Sequence, residues 1–177
     1  MAYVFQYGSN MDTERLNSSD RLNGEATFFR VALTRDNYQL DFDLWSKCNR
    51  CAAADLVGVS GRRIWGVIYE IPDDLVRRET AGERKSLDEI EGEGANYERT
   101  KINLCLRNGR PVSQTVITYI GRKSARRPKI QTSSDYVRHI FTGLRAYDMP
   151  DGYIAYVENR VLANNPYLRK TPLFRES

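Results

Sequence analysis

Long hydrophobic runs, histidine and disulfide-forming cysteine are all scarce in this 177-residue sequence. No stretch approaches the roughly 18 consecutive apolar residues that a membrane-spanning helix needs. The N-terminus, Met1 to Phe5, has no basic segment followed by a long apolar one, so we expect no signal peptide. Three cysteines are a low and odd number, which favours a reducing compartment over a disulfide scaffold. We therefore expect a soluble, cytoplasmic protein that does not associate with membranes.

The sequence also lacks the glycine motifs of nucleotide-binding loops and the ligand sets of common metal sites. No G-x-G-x-x-G follows the first predicted strand, and no G-x-x-x-x-G-K occurs, which disfavours a doubly wound nucleotide fold. Cys48 and Cys51 have the spacing of a metal or redox pair, but there is no second pair and His139 is the sole histidine. A structural zinc site needs four ligands, so we expect no metal site. A nucleophilic Cys–His pair that uses His139 stays open, although no local pattern supports it.

Charge of one sign is not in large excess, because 27 Lys and Arg stand against 23 Asp and Glu, a net charge of +4. The basic residues cluster only in Gly121 to Lys129, which contains no aromatic residues. A solvated loop is the favoured interpretation of this stretch, and nucleic-acid binding is the alternative. Such binding would weaken steeply with added salt. We expect no nucleic-acid partner.

The hydrophobic residues, 41% of the chain, suffice for one core, and the length predicts a single domain over 1–177 with a C-terminal tail at 164–177. Alternating or β-branched and aromatic runs predict strands, and 3.6-residue periodicity with proline and glycine stops predicts helices. The predicted strands are 3–7, 28–34, 38–44, 52–59, 63–71, 97–106 and 112–120, the last two joined by an Asn-Gly hairpin turn. The predicted helical segments are 12–16, 72–92, 134–147 and 151–163. Strands in succession with late helices indicate an α+β fold around a mostly antiparallel, barrel-like sheet.

Two short segments carry candidate chemistry. In Leu87-Asp88-Glu89-Ile90-Glu91-Gly92, the side chain of Glu91 ends a predicted helix next to three other acidic residues. The helix dipole and these neighbours should raise its pKa, which suits a general base, although a solvated acidic helix end has the same pattern. In Tyr7-Gly8-Ser9-Asn10-Met11, a strand runs into a turn whose amide groups suit an anion or an oxyanion. An ordinary strand-to-helix turn is the alternative.

Taken together, these segments resemble the γ-glutamylcyclotransferase-like family. Residues 7–11 resemble its Y-G-S-N-L/M loop, Trp65 to Tyr69 its W-G-V-[VI]-[YW] strand, and Leu87 to Gly92 with Tyr97 its L-D-x-x-E-G…Y segment. Its Y…P-S…Y…I…G…G-L-P tract is resembled by Tyr119, Ile120, Pro128, Ser134, Tyr136, Ile140, Gly143 and Pro150. The motifs occur in the same order over residues 3 to 160.

The resemblance implies a single domain built on an antiparallel β-barrel flanked by helices. It also implies an enzyme without a cofactor, in which the α-amine of a γ-glutamyl group attacks its own γ-carbonyl and releases 5-oxoproline and an amine. By position, Glu91 matches the catalytic general acid/base of the family. Tyr7, Gly8, Ser9, Asn10 and Met11 match its substrate-binding loop, and two further residues match tyrosines of the same cavity, Tyr97 and Tyr136.

The chain departs from the family pattern in residues 46–56, in the basic stretch 122–129 and after Ala163. The leaving amine therefore stays open among an amino acid, a peptide and a biosynthetic intermediate. Whether the loop amides hold the oxyanion or the α-carboxylate also stays open, as does a homodimer. A non-catalytic protein of the same fold that binds γ-glutamyl or other small ligands is the main alternative function.

Overall fold

A six-stranded, mostly antiparallel sheet lies at the centre of the computed structural model, which describes residues 1–174 except for the side chains of 59 and 60. A separate two-stranded hairpin accompanies it. The strands, numbered along the chain, are β1 (Ala2–Gln6), β2 (Thr27–Thr34), β3 (Tyr38–Ser46), β4 (Cys51–Arg62), β5 (Trp65–Ile71), β6 (Tyr97–Ile102), β7 (Leu104–Cys105) and β8 (Val116–Gly121).

The order of strands in the main sheet is β6-β8-β1-β5-β2-β7. Strands β1 and β8 run parallel, and the other pairings found in the described part of the chain are antiparallel. The sheet curls into a half-barrel, which confirms the predicted α+β class and the mostly antiparallel sheet. It does not close, because β3 and β4 pair with each other and the short β7 pairs only with β2 in the described residues.

The helices lie mostly after the strands, as predicted. They are α1 (Thr13–Leu16), α2 (Asp73–Val76), α3 (Leu87–Glu91), α4 (Ser134–Ala146) and α5 (Asp151–Asn164). Short 3-10 helices cover Ser9–Met11, Lys123–Ala125, Pro166–Lys170 and Pro172–Phe174. Of the predicted C-terminal tail, residues 175–177 lie outside the described residues. None of the helices described between residues 1 and 174 is both long and apolar enough to cross a membrane.

Two local predictions needed correction. The helical segment predicted over 72–92 is two short helices, α2 and α3, because the ten residues between them make turns instead. The hairpin predicted between 97–106 and 112–120 pairs β6 with β8, and β7 leaves this pair to join β2. The Asn-Gly turn is present, with Gly109 at a φ of +81°, a conformation that favours glycine.

Helix α4 brings the C-terminal half of the chain against the loop that follows β1. A Cβ atom on Gly143 would lie 2.5 Å from the Cβ of Met11, so the helix can approach the 3-10 helix Ser9–Met11 this closely only with glycine at that position. Ser133 caps α4 by accepting a hydrogen bond from the amide of Tyr136. The first turn of α4, with Tyr136, therefore lies next to residues 8–11.

Candidate active site

Two connected cavities lie between α3, the loop after β1 and the start of α4. The inner recess is narrow and is lined by Gln6, Tyr7, Gly8, Ser9, Asn10, Ala54, Glu91, Tyr97, Tyr119 and Tyr136. The outer cleft has a volume of about 330 Å³ and shares Ser9, Asn10, Glu91, Tyr97 and Tyr136 with the recess. These five residues mark the passage between a narrow inner space and a wider one.

Local sequence signals place Glu91 at the end of α3. The helix begins with a capping box, in which Ser86 Oγ accepts from the amide of Glu89 and Glu89 Oε2 accepts from the amide of Ser86. It ends at Gly92, which has a φ of +71° in the left-handed region. These two signals define a helix of five residues, so Glu91 is its last residue and lies where the helix meets the cavities.

Two amide side chains hold the carboxylate of Glu91 by the same oxygen. Gln6 Nε2 and Asn10 Nδ2 donate to Oε1 at 2.9 Å and 2.8 Å. No hydrogen bond to Oε2 is found among the described residues, so this oxygen is available to a ligand. Burial raises the pKa of Glu91, while the bonds from Asn10 and Gln6 and the charges of two nearby arginines partly oppose the shift.

The raised pKa predicted for Glu91 is thus present, but its cause is burial and not the acidic neighbours. Asp88 is buried and pairs with Arg99 Nη1 at 2.6 Å and with the hydroxyl of Tyr119 at 2.7 Å. Glu89 is occupied by the capping box. Both carboxylates have hydrogen-bond partners of their own, and neither is among the causes of the shift at Glu91.

Three tyrosines of the recess have buried hydroxyls with distinct hydrogen-bond roles. Tyr7 donates to the carbonyl of Tyr119 at 2.6 Å, and Tyr97 donates to the carbonyl of Ala54 at 2.6 Å. Tyr136 instead accepts from the amide of Ala54 at 2.9 Å, which leaves its own proton for a ligand. Burial raises the pKa of all three, so they are neutral hydroxyl groups at physiological pH.

Ala54 is held in place by its neighbour on the opposite face of β4. Asp55 is fully buried, accepts from the amide of Gly121 at 2.6 Å, and pairs with Arg126 Nε at 2.8 Å. Successive residues of a strand point to opposite faces, so this ion pair fixes the backbone groups of Ala54 without entering the recess. Arg126 belongs to the basic stretch 122–129, where it ties the loop to the hairpin.

The loop predicted from the sequence divides between the cavity and the core. Tyr7, Gly8, Ser9 and Asn10 line the recess, as do the other predicted site residues Glu91, Tyr97 and Tyr136. Met11 lines neither cavity: its side chain is buried against Gly143, and its carbonyl accepts from Tyr69 at 2.9 Å. Its position indicates a packing role.

Several residues at the cavities were not identified from the sequence. Gln6 is a buried amide at the end of an otherwise apolar strand, and this contrast is the one signal that could have revealed it. Tyr119 matches the family tract but was assigned no role at the site, and Arg15 and Arg21 carry no local signal because they join the site through contacts with distant segments.

The cysteines and the histidine lie apart from the recess. Cys48 is exposed at the outer cleft, Cys51 and Cys105 are buried, and all three are free. His139 Nδ1 contacts Asp12 Oδ2 at 2.6 Å, and His139 lines neither cavity. Within residues 1–174 no three His, Cys, Asp or Glu side chains are grouped so as to hold a metal ion.

The recess therefore offers one proton-accepting carboxylate, neutral hydroxyls and a turn of backbone in a space suited to a small polar group. A carboxylate with a raised pKa can take a proton and return it, which is general acid/base chemistry. The wider cleft gives access from solvent and room for a second part of a ligand.

Comparison with known proteins yields relatives of the same fold. A γ-glutamyl cyclotransferase structure is 23% identical and has a TM-score of 0.71, covering 89% of this chain and 86% of that chain. An uncharacterized protein from Homo sapiens is also 23% identical, with a TM-score of 0.70 and the same coverage. YkqA from Bacillus subtilis is 20% identical, with a TM-score of 0.71, and this chain spans 54% of its length. At these identities the likeness shows the fold.

No curated protein matches the sequence. A family model described as gamma-glutamyl cyclotransferase, AIG2-like, matches residues 4–138, which include the end of β1, the loop after it, α3 and the first turn of α4. The match covers most of the chain and every residue that lines the inner recess. The chain therefore belongs to the γ-glutamyl cyclotransferase, AIG2-like family.

Proposed function

We propose that the protein is a γ-glutamylcyclotransferase in which Glu91 is the general acid/base. The nitrogen of the substrate α-amine bonds to the γ-carbonyl carbon, and the bond from that carbon to the leaving nitrogen breaks. Two of the three α-ammonium protons pass to the leaving nitrogen, one removed before the attack and one from the tetrahedral intermediate, so the amine leaves as an ammonium. The products are 5-oxoproline and an amine, so the reaction consumes no water, oxidant or cofactor.

The observation that carries this proposal is the state of Glu91. Its carboxylate lies in the recess, its Oε1 is oriented by two amides, and its pKa is raised by burial. Oε2 has no protein partner among the described residues and is the atom that takes the α-ammonium proton. The same atom returns the proton to the leaving nitrogen as the tetrahedral intermediate collapses.

The tyrosines and the turn would bind the γ-glutamyl group. The Tyr136 hydroxyl has a proton to donate to an oxygen of the substrate, since it accepts from the amide of Ala54. Tyr7 and Tyr97 use their protons on backbone carbonyls, so their oxygens can accept from an ammonium group. Ser9 and Asn10 contribute the backbone of a turn that faces the same space.

The small size of the recess supports the intramolecular route. Formation of a five-membered lactam requires the α-amine to fold back on the γ-carbonyl, and a narrow space favours that folded conformer. Oriented intramolecular reactions reach effective molarities of about 10⁵–10⁸ M. Positioning therefore supplies much of the rate, and Glu91 has only to move a proton.

The test is release of 5-oxoproline from a panel of γ-glutamyl compounds by the wild type and by Glu91→Gln. Glutamine keeps the size and can still accept from the two amides, but it takes no proton, so turnover should fall at least about 100-fold. The matched control is Glu93→Gln, two residues along the chain, which lines neither cavity and should turn over like the wild type.

Retained turnover in Glu91→Gln with an unchanged melting temperature would contradict the role of Glu91. Binding of γ-glutamyl compounds without any release of 5-oxoproline would support the alternative of a non-catalytic binding protein.

A further inference from the structure

The outer cleft contains basic side chains that the chemistry in the recess does not use. Arg15, Arg21, Lys47 and Lys85 line it, and none of them lines the recess. No ion pair within 4.0 Å joins any of these four to an acidic side chain in the described part of the protein. Three acidic residues also line the cleft: Asp20 and Glu89, which are engaged by nearby serines, and Glu91, which accepts from Gln6 and Asn10.

The two arginines are held in place through one end of each guanidinium. Arg21 Nη2 donates to Asn10 Oδ1 at 2.7 Å, and Arg15 Nη2 donates to Asn49 Oδ1 at 2.7 Å. The Nε atoms of both arginines are buried and donate to no acceptor in the described residues. A buried donor without an acceptor is unfavourable, so both groups have unused capacity to bind a ligand oxygen.

The electrostatics of the pair point to an anion. Burial, and then repulsion from Arg15, lower the pKa of Arg21, so the charge on Arg21 is destabilised where it lies. Two partly desolvated cations that repel each other are stabilised by a carboxylate placed between them, because arginine binds carboxylates with short charge-assisted hydrogen bonds. No ion pair within 4.0 Å joins Glu91 to either arginine in the described residues, and its Oε1 accepts from Gln6 and Asn10.

The position of Arg15 and Arg21 in the outer cleft indicates which carboxylate of a substrate they would bind. This step rests on the proposed function, in which the γ-glutamyl group binds beside Glu91, against the residues that the recess and the cleft share. The leaving amine then extends through the shared residues Ser9, Asn10 and Tyr97 into the outer cleft, where the arginines lie. At about 330 Å³ the cleft is at the lower end of the usual range of ligand pockets and has room for an amino acid.

We propose that Arg15 and Arg21, assisted by Lys47 and Lys85, bind a carboxylate of the leaving amine, so that γ-glutamyl amino acids and peptides are substrates and γ-glutamyl derivatives of simple amines and diamines are not. The selection is electrostatic: a carboxylate gains the two guanidinium groups, a neutral amine gains nothing, and a cationic one is repelled.

Three matched substrates test this selection in the wild type: γ-glutamyl-alanine, γ-glutamyl-ethylamide, which lacks only the alanine carboxylate, and the mono-γ-glutamyl amide of 1,2-diaminoethane. The kcat/KM should be highest for γ-glutamyl-alanine, lower for the neutral γ-glutamyl-ethylamide and lowest for the cationic diamine derivative. We expect a difference of about 10- to 100-fold between the first two. Equal kcat/KM for γ-glutamyl-alanine and γ-glutamyl-ethylamide would overturn the inference while leaving the proposed function intact.

Variants then assign the selection to the arginines. Arg15 is the better target, because Arg21 contacts Asn10 and through it Glu91. Arg15→Gln should reduce the preference for γ-glutamyl-alanine over γ-glutamyl-ethylamide about tenfold, and Arg15→Lys should restore part of it. The control Arg138→Gln removes the same charge from an exposed position on α4, 61% exposed, and should leave the preference unchanged.

Equal losses on both substrates in Arg15→Gln would contradict the assignment, since they would mean that the arginine binds the α-carboxylate that both substrates share. Calorimetric binding of both compounds to Glu91→Gln makes the comparison without turnover. Preferential binding of γ-glutamyl-alanine, with no 5-oxoproline released by the wild type, would contradict the proposed catalysis but support the carboxylate-binding role of the arginines. Equal affinities of Glu91→Gln for γ-glutamyl-alanine and γ-glutamyl-ethylamide would contradict the carboxylate-binding role of the arginines.

Discussion

Asp88 and Glu91 lie one turn apart on the same five-residue helix, and their surroundings differ in almost every respect. Asp88 is 4% exposed and is neutralised by Arg99, with Tyr119 as a second donor. Glu91 has neutral amide partners and an oxygen that opens on a cavity. An ion pair makes Asp88 part of the scaffold, whereas amide partners leave Glu91 able to exchange a proton. The two carboxylates share a helix and a functional group, so the difference between their roles comes from the groups that bind them.

The largest effect on stability should come from removing the ion pair between Asp88 and Arg99. Asp88→Asn removes one charge of a buried pair and leaves Arg99 unpaired, so the free energy of unfolding should fall by about 2–3 kcal/mol, between values for exposed and fully buried pairs. Urea denaturation measures it, with the exposed Glu98→Gln on β6 as the control. Loss of turnover without loss of stability would mean that Asp88, like Glu91, takes part in the chemistry.

A third carboxylate, that of Asp43, extends the comparison because it shares the Arg126 guanidinium with Asp55. Arg126 Nε lies 3.7 Å from Asp43 but 2.8 Å from Asp55. Burial and the charges of Asp55 and Asp41 raise the pKa of Asp43 from 3.8 to about 6, against the opposing effect of Arg126. A raised folded-state pKa means that its contribution to stability is present below pH 3.8 and is lost as the pH rises through about 6.

Asp43→Asn should therefore increase the free energy of unfolding at pH 7.5 by about 1 kcal/mol, a value reduced for the partial exposure of the carboxylate. At pH 4 the increase should be smaller or absent. Urea denaturation at both values of pH checks this, and Asp36→Asn, in an exposed turn, is the control. The same increase at both values would show that the carboxylate charge is not its cause.

The smallest stability effect should come from Glu91 itself. Because burial raises its pKa, its contribution to stability is present below about pH 4.5 and is lost as the pH rises through the folded-state pKa. Glu91→Gln should thus be at least as stable as the wild type at neutral pH, and the difference should shrink towards pH 4. A marked loss of stability at neutral pH would indicate that Glu91, like Asp88, is part of the scaffold.

Features encoded over a few neighbouring residues were predictable from the sequence. The alternation of β3 placed Leu40, Phe42 and Leu44 in the core, and all three are buried. The turn after β1 and the stop at Gly92 were recognised from local chemistry, as were the helices α4 and α5. The break between α2 and α3 was missed, because proline at the start and glycine at the end do not show whether the residues between them continue one helix.

The candidate site was predictable to the extent that its residues lie in recognisable segments. Tyr7, Ser9, Glu91 and Tyr136 come from three such segments, and the structure brings them into one recess. The tertiary structure alone decided which residues far apart in the sequence are in contact. Gln6 reaches Glu91 across 85 residues, and Asp55 meets Arg126 across 71. Strand order and helix packing determine such contacts, and no short-range period encodes them.

The sequence by itself thus determined the family and the α+β class, and it predicted Glu91 as the candidate general base. The tertiary structure decided that burial raises its pKa, that Asp88 is neutralised while Glu91 is not, and that two arginines face the outer cleft. The physical reason is range: backbone preferences and caps act within about one helical turn, whereas desolvation and charge pairing depend on every segment packed around a group.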